Sequence, residues 1–407
     1  MAPNNGQWTP IDEALDQVLT DCQELDGAES VALAQAYGRV LAEPISAQVA
    51  VPPWDNSAMD GFAVRAEDVL NCPVELPISQ RIPAGAVGTQ LLPGTAARIF
   101  TGAPVPPGAD AVIMQENTET TADGVIFLQS APVGNNIRPK AQDIQLGDVV
   151  LPAGQRLRPQ ELGVLASVGL AQVKVRRRPK VALISTGDEV IEPGQPLGEG
   201  QIFNSNRYTL LGMMAAMGVE AVDYGIIADD AEVTANALRL AATECDLIVT
   251  TGGVSVGEED HVKAQVESMG ELNLWKLAIK PGKPLAYGRV LDTPILGLPG
   301  NPSAVFVTSC LVVRPYILRL QGLQDVAPVA VQAQADFDWP RAGRRQEYLR
   351  ARLYQDDNGQ SWVSRYDNQS SGVLSSASWG NALAVVPVGS SFERGEVISV
   401  LPMEGLF

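Results

Sequence analysis

Asp246-Leu247-Ile248-Val249-Thr250-Thr251-Gly252-Gly253-Val254-Ser255-Val256-Gly257-Glu258-Glu259-Asp260 is the stretch on which the fold turns. Leu247, Ile248 and Val249 form an apolar run with no polar alternation, the pattern of a strand buried on both faces. After Thr250 and Thr251, the Gly252-Gly253 pair lets the backbone take positive φ and approach a ligand closely. Gly257 to Asp260 then opens a helix whose apolar positions are Val262, Val266 and Met269. Strand, glycine turn and helix N-terminus together make a concavity of outward-pointing N–H groups that suits an anion. Geometry alone leaves an alternative, an ordinary strand-to-helix turn whose glycines only relieve crowding.

A second turn favours the ligand reading: Gly297-Leu298-Pro299-Gly300-Asn301-Pro302. Two prolines and two glycines in six residues exclude a helix or strand interior. The turn separates the apolar pair Ile295 and Leu296 from a long apolar helix predicted from Ser303, and Pro302 suits its first turn. Ile279-Lys280-Pro281-Gly282-Lys283-Pro284 is a third such loop.

From Lys180 the pattern alternates strand and helix, as in α/β folds. Strands are expected at 181–184, 219–227 and 275–279, with a hairpin of 285–290 and 294–298. Asn204 should cap a helix carrying Leu210, Leu211, Met214 and Met217, and another helix should run from Asp230 to about Ala242. Pro315 marks a kink or end of the last helix. In an open parallel sheet, ligands bind beyond the carboxyl ends of the strands. Four loops there carry Asp188 and Glu189, Asp229 and Asp230, Ser255 to Asp260, and Lys276 to Lys283. Carboxylates alone repel phosphate but hold it through bridging Mg²⁺, and lysines offer point charges to an oxyanion.

Composition narrows the classes. The chain has 407 residues, 45% hydrophobic and 19% charged, enough for two to four domains with real cores. A formal charge of −18 argues against nucleic acid and against an anionic membrane surface as partners. Cys22, Cys72, Cys245 and Cys310 are far apart with no C-x-x-C, so neither a zinc site nor a disulfide framework is expected. Cys245 and Cys310 read as core. A single histidine, His261, leaves acid–base and metal work to carboxylates and lysines. No basic and apolar leader and no membrane-length run is read, so the expected location is the cytoplasm.

Elsewhere, residues 10–44 read as helical, with one helix starting at Pro10 and a second over 33–41. A helix is expected at 159–169, and Arg176-Arg177-Arg178-Pro179 reads as a solvated basic linker. Between these, the texture is β-like. Three clusters stand out: Pro52 to Ala63 with Asp60, Arg98 to Asp110 with Thr101, and Asn136 to Asp143 with Arg138. Each sets polar residues in turns rich in φ-restricted positions, which is how loops hold a side chain still. After Gly322 short alternating strands suggest a small β-sandwich or barrel.

The run Asp55-Asn56-Ser57-Ala58-Met59-Asp60-Gly61 strongly resembles the N-terminal signature of the MoeA family, the molybdopterin molybdenumtransferases, and the next two clusters also match it. The three glycine- and proline-rich loops resemble the wider MoeA/Mog group. The resemblance implies a multidomain α/β fold: a central Mog-like three-layer domain with a mostly parallel sheet, a helical scaffold, a β-rich insertion and a C-terminal β-barrel or sandwich. It implies domain bounds of 1–50 with 145–178, then 51–144, 179–325 and 326–407.

The implied reaction inserts molybdenum from molybdate into adenylylated molybdopterin, with Mg²⁺, releasing AMP. Asp60, Asp143, Glu189, Asp229 and Asp260 match the family's active-site carboxylates, and Glu189, Asp229 and Asp260 are the expected metal ligands. Lys276, Lys280 and Arg138 match its cations, and Thr101 lies beside them. Gly252, Gly253 and Ser255 form the anion-binding turn, shaped by Pro299 and Pro302. For molybdate the candidates are Lys280, Lys283, Arg345 and Ser375, with Arg344, Arg350 and Ser376 as competitors. Around Arg138 the run Pro139-Lys140-Ala141-Gln142 departs from the family, which often carries further charged residues there. Implied partners are a second copy of the chain sharing the active site, a Mog-type adenylyltransferase and downstream molybdenum cofactor proteins. The alternatives are a molybdopterin adenylyltransferase, a CinA-like nucleotide pyrophosphatase, or a gephyrin-like scaffold with no catalysis.

Overall fold

The computed structural model describes residues 8–252 and 261–406. They form two compact units. Unit one takes the chain up to Glu29, Gly38–Val40 and everything from Val175; unit two takes Ser30–Tyr37 and Leu41–Lys174.

Unit one is built on a six-stranded sheet of β1 (Lys180–Thr186), β2 (Glu220–Ile227), β3 (Leu247–Thr251), β4 (Gly270–Lys276), β5 (Pro284–Val290) and β6 (Thr293–Leu298). The order is β2-β1-β3-β6-β5-β4. The first four run parallel, and β5 and β4 add an antiparallel edge. β3 lies between β1 and β6, so its unalternated apolar run meets core on both sides. Leu247 and Val249 enter one cluster and Ile248 the other, all with no exposed surface. Burying each of these side chains contributes roughly 2 kcal/mol. Register pairs Thr186 with Ile227, Ser185 with Thr251, and Thr251 with Leu298. The carboxyl ends of four strands therefore share one edge.

Helices cover the sheet. Ser205–Ala216 is capped by Asn204, whose side chain accepts from the Arg207 N–H at 3.2 Å. Ala231–Glu244 is capped by Asp230, which accepts from the Glu232 and Val233 N–H groups. The helix Ile11–Thr20 buries Ile11, Ala14 and Val18 in the same core as Leu247. The last helix runs Pro302–Thr308, a π-helical turn Ser309–Val313, and Arg314–Leu320. Pro315 has no N–H to donate, and the widened turn before it lets the helix continue rather than end. The span Pro302–Leu320 is long and apolar enough to cross a membrane, but about 89% of it is buried inside the fold, as a core helix would be. Cys245 and Cys310 are buried as expected.

The chain then closes a five-stranded barrel from Gln346–Gln355, Ser361–Arg365, Val331–Ala335, Val397–Pro402 and Ala382–Val386. The two-residue strand Ile279–Lys280 runs parallel to its first strand, pairing Ile279 with Gln346 and Lys280 with Glu347. This ties the lysine loop to the barrel.

In unit two a four-stranded sheet has the order Ile78–Ile82, Ala96–Ile99, Gly61–Val64, Ala111–Met114. Beside it lies a three-stranded sheet of Val74–Leu76, Val125–Phe127 and Thr118–Thr120. The helix expected at 159–169 is present as Pro159–Ser167. The helix expected over 33–41 is only the single turn Leu33–Gln35. There the Leu33 and Ala42 N–H groups donate to Ala171 and Lys174 carbonyls instead of closing helical turns. Gly38 at φ 74° breaks the periodicity between them.

The basic linker is a further correction. Arg176 pairs with Glu24 at 2.7 Å, and Arg177 grips both oxygens of Asp246 at 2.6 and 2.7 Å. These guanidiniums anchor the start of β1 and β3 rather than sitting in solvent, because partly buried carboxylates offer them fork-shaped partners.

Candidate functional site

Two cavities open at the carboxyl edge of the sheet, with Gly252, Gly300 and Asn301 lining both. Gly252 has φ +82°, and a Cβ placed on it would lie 2.7 Å from the Thr186 carbonyl oxygen. No other residue type fits that turn without strain.

The first cavity measures about 440 Å³ and is lined by Lys280, Lys283, Arg345, Pro299 and Ser370, among others. Its described lining holds three cations and no carboxylate. Lys280 pairs with Glu347, whose side chain is 12% exposed, at 3.1 Å. Arg345 donates to the Ile279 carbonyl at 3.4 Å. Gly282, with φ +106°, faces Thr308 so closely that a side chain would collide. The cavity's far wall, Gln369 to Ser371, is held from both sides. The Ser303 N–H donates to the Ser371 carbonyl at 2.9 Å. Behind the wall, the fully buried Arg350 donates to the Ser370 carbonyl at 3.0 Å and to Ser376 Oγ at 2.9 Å. Burial pulls the Arg350 guanidinium down to about 10.

Among the molybdate candidates, Arg345 thus reaches the cavity lining. Arg350 and Ser376 form the support behind it. Ser375, at the exposed start of the helix Ser375–Trp379, is not brought to the lining, where Ser370 and Ser371 stand instead. Arg344 is exposed and is not part of that lining either. Sequence reasoning missed Gln369, Ser370 and Ser371 because nothing local distinguishes them from turn residues. Only the Ser303 and Arg350 bonds place them.

The second cavity, about 300 Å³, is lined by Ser185, Thr186, Glu189, Phe203, Asn204 and Asn206 together with the shared wall and Pro302. Ser185 Oγ, Thr186 Oγ1, Asn204 Nδ2 and Asn206 Oδ1 are buried with no hydrogen-bond partner among the described residues. A buried polar atom left unpaired costs about 1–3 kcal/mol, so this group is poised to bind something polar. Phe203 lies exposed at the rim.

Glu189 and Asp229 are exposed and follow β1 and β2 by two to three residues, so the parallel register sets them at the same edge. Lys276 is exposed at the end of β4, and its carbonyl accepts from the Thr9 N–H. Gly253, Ser255 and Asp260 lie outside the described residues.

In unit two, Asp60 Oδ1 accepts from both the N–H and the hydroxyl of Thr101, each at 2.8 Å. These two bonds, with a smaller contribution from Arg98, hold the Asp60 carboxyl below the usual carboxylate range. Arg98 donates to the Gly61 carbonyl and to Gln115 Oε1, and its guanidinium lies over the rings of Phe62 and Phe100. It thereby braces the backbone that follows Asp60. Arg138 and Asp143 are exposed near the same turns, where Arg138 pairs with Asn56 and the Asp143 N–H donates to the Val51 carbonyl.

Family models match the chain in three parts. These are the MoeA N-terminal region (domain I and II) over residues 9–169, a probable molybdopterin binding domain over 182–319, and the MoeA C-terminal region (domain IV) over 332–403. A molybdopterin molybdenumtransferase of Haemophilus influenzae is 38% identical over 400 residues, covering 97% of this chain and 99% of that one. One from Nostoc is 40% identical over 386 residues, covering 92% and 88%. The crystal structure of the molybdopterin biosynthesis moeA protein from Pyrococcus horikoshii superposes with a TM-score of 0.84 at 33% identity, covering 97% of this chain and 100% of that one. With family models across all three regions and curated relatives matched nearly end to end, the chain belongs to the MoeA family.

Proposed function

We propose that this protein transfers molybdenum from molybdate into adenylylated molybdopterin, with release of AMP. The carrying observation is the cavity with Lys280, Lys283 and Arg345 and no carboxylate in its described lining, in a chain of net charge −18. Such a concentration of cations suits a small dianion. The adjoining cavity, lined by hydroxyls and amides with Glu189 as its one described charge, suits the heterocyclic part of the larger substrate, and the glycine turn between them suits its phosphates. The substrate is cleaved by water at its phosphoanhydride: one P–O bond forms to water, one breaks, and AMP departs. Molybdate then gains two Mo–S bonds to the pterin's dithiolene as one oxo oxygen leaves as water with the two thiol protons, with no change of oxidation state.

Among the described residues no three metal-ligating side chains converge. Glu189 and Asp229 nonetheless fit Mg²⁺, a hard ion commonly held by one or two carboxylates, water and substrate phosphate oxygens. Bound there, it would neutralise phosphate charge. The protein's own part is to orient the anion through Lys280, Lys283 and Arg345.

The test is to incubate the protein with adenylylated molybdopterin, molybdate and Mg²⁺ and follow AMP by chromatography. AMP release that needs both molybdate and Mg²⁺ is the expected outcome. Release independent of molybdate would convert the reading to a plain pyrophosphatase.

The proposal includes a homodimer in which each cleft draws Asp60 and Thr101 from the partner chain. Mixing inactive Asp60→Ala and Lys280→Ala chains should restore activity, because one cleft of a mixed dimer collects neither lesion. With half the dimers mixed, about a quarter of wild-type activity should return. Background activity despite proven subunit exchange would sink the shared cleft.

A further inference from the structure

The first residues described in the chain touch two of the cations that line the first cavity. Thr9 forms a parallel bridge with Leu277: its N–H donates to the Lys276 carbonyl at 2.9 Å, and its carbonyl accepts from the Ala278 N–H at 2.7 Å. The bridge fixes Trp8, 39% exposed, beside the lysine loop. Lys283 Nζ lies 5.5 Å from the Trp8 ring centroid and Arg345 Cζ lies 5.3 Å from it. Both cations line the cavity. The third, Lys280, is held differently, by the carboxylate of Glu347.

The difference between the anchors is chemical. A carboxylate fixes a cation and cancels its field. An aromatic ring attracts a cation through its quadrupole and leaves the full charge in place. Two like charges gathered by one neutral ring repel each other, and that repulsion is relieved when a dianion enters the cavity.

We propose that Trp8 is a positioning residue that holds Lys283 and Arg345, a pair that no described carboxylate neutralises, for a tetrahedral dianion. The proposal rests on reading this cavity as the molybdate site.

The test uses the full chain and sodium molybdate as the probe, with affinity read by calorimetry for wild type, Trp8→Phe and Trp8→Leu. Phenylalanine keeps a ring with the same sign of quadrupole and should stay within about threefold of wild type. Leucine keeps apolar bulk and loses the ring, so affinity should fall about 5–30-fold. Thermal midpoints of the two variants should match, because the side chain is substantially exposed. In the unaltered protein, molybdate should also perturb Trp8 emission, seen as a change present in wild type and missing in Trp8→Phe.

Equal affinity of Trp8→Leu and wild type would overturn the role of Trp8, as would equal losses in both variants or an unresponsive Trp8 emission. If wild type itself binds no molybdate, the reading of the cavity fails and takes this proposal with it. Molybdate binding that depends on Lys283 but not on Trp8 would leave that reading standing and remove only the aromatic anchor.

Discussion

The two cavities share a wall and differ in charge. On one side of Gly252 the described lining holds three cations and no acid; on the other it holds hydroxyls, amides and one rim carboxylate, Glu189. The contrast follows from which elements build each side. The cationic side comes from the loop after β4 and from the barrel strand beside it, bound together by the pairing of Lys280 with Glu347. The neutral side comes from the ends of β1 and β3 and from the cap of the helix Ser205–Ala216. On the proposed function, a substrate with an anionic part and a neutral heterocyclic part would be oriented by electrostatics before any close contact forms. This is the kind of pre-organisation that catalysis of group transfer draws on.

The sharpest way to break the contrast is to put an acid on the cationic side. Lys283→Glu replaces an attractive charge by a repulsive one at the same rim, so molybdate affinity should fall by about 100-fold or more. Binding of an adenine nucleotide should change far less. Calorimetric titration with each ligand separates the two, and equal losses would mean that Lys283 serves the phosphates. Next in size is Gly252→Ala, which strikes the shared wall. The added methyl would press on the Thr186 carbonyl at a φ that alanine disfavours. Stability should drop by about 1–3 kcal/mol in chemical denaturation, and both ligands should bind more weakly together.

Much of this architecture was legible in the residues, for identifiable reasons. Leu247 to Val249 lack alternation because β3 is covered on both faces. Asn204 announces its helix because a cap needs a side-chain acceptor at that position. Lys280, Lys283 and Arg345 were legible as candidates through resemblance and charge.

What escaped was whatever depends on long-range hydrogen bonding. Residues 33–41 have a helical look, but the Leu33 and Leu41 N–H groups are claimed by carbonyls more than a hundred residues away. Arg350 and Arg345 look equivalent in sequence, and only the barrel's closure buries one and opens the other. Trp8 carried no local signal at all, since its partners lie some 270 and 340 residues downstream.

Unit two offers a smaller effect, at the pair Asp60 and Thr101. Asp60 is exposed, and its carboxyl is held low first by the Thr101 N–H, then by the Thr101 hydroxyl. A carboxyl whose folded value is depressed gives its favourable interaction in full above the ordinary carboxylate range. The interaction is lost as pH falls through the depressed value. If the Asp60 anion is needed for turnover, the acid limb of the rate profile should sit below the ordinary carboxylate range. Thr101→Val removes the hydroxyl and keeps the N–H, so the limb should move upward without reaching a free carboxyl's position. An NMR titration of the Asp60 carboxyl carbon reads the same shift without reference to activity. A limb unchanged while the NMR value moves would show that Asp60 is not the group seen in the rate.

The smallest expected effect tests the neutral side alone. Asn204 does two things with one amide: its Oδ1 caps the helix Ser205–Ala216 by accepting from the Arg207 N–H, and its Nδ2 is left buried and unpaired beside the second cavity. Alanine would remove both functions and confound them, at about 0.5–2 kcal/mol for the cap alone. Serine separates them, because its hydroxyl is as good a cap acceptor and is too short to replace the amide nitrogen's reach. Asn204→Ser should therefore unfold within about 0.5 kcal/mol of wild type, the ordinary scatter between good cap residues. Molybdate affinity should be unchanged, since the cationic cavity is built from other elements. Adenylylated molybdopterin should bind several-fold more weakly, the loss of about one neutral hydrogen bond. If molybdate weakens in step, the two cavities act as one site and the contrast between them does not govern binding. If neither ligand responds, Nδ2 does not face the heterocycle, and its unpaired state in the fold needs another explanation.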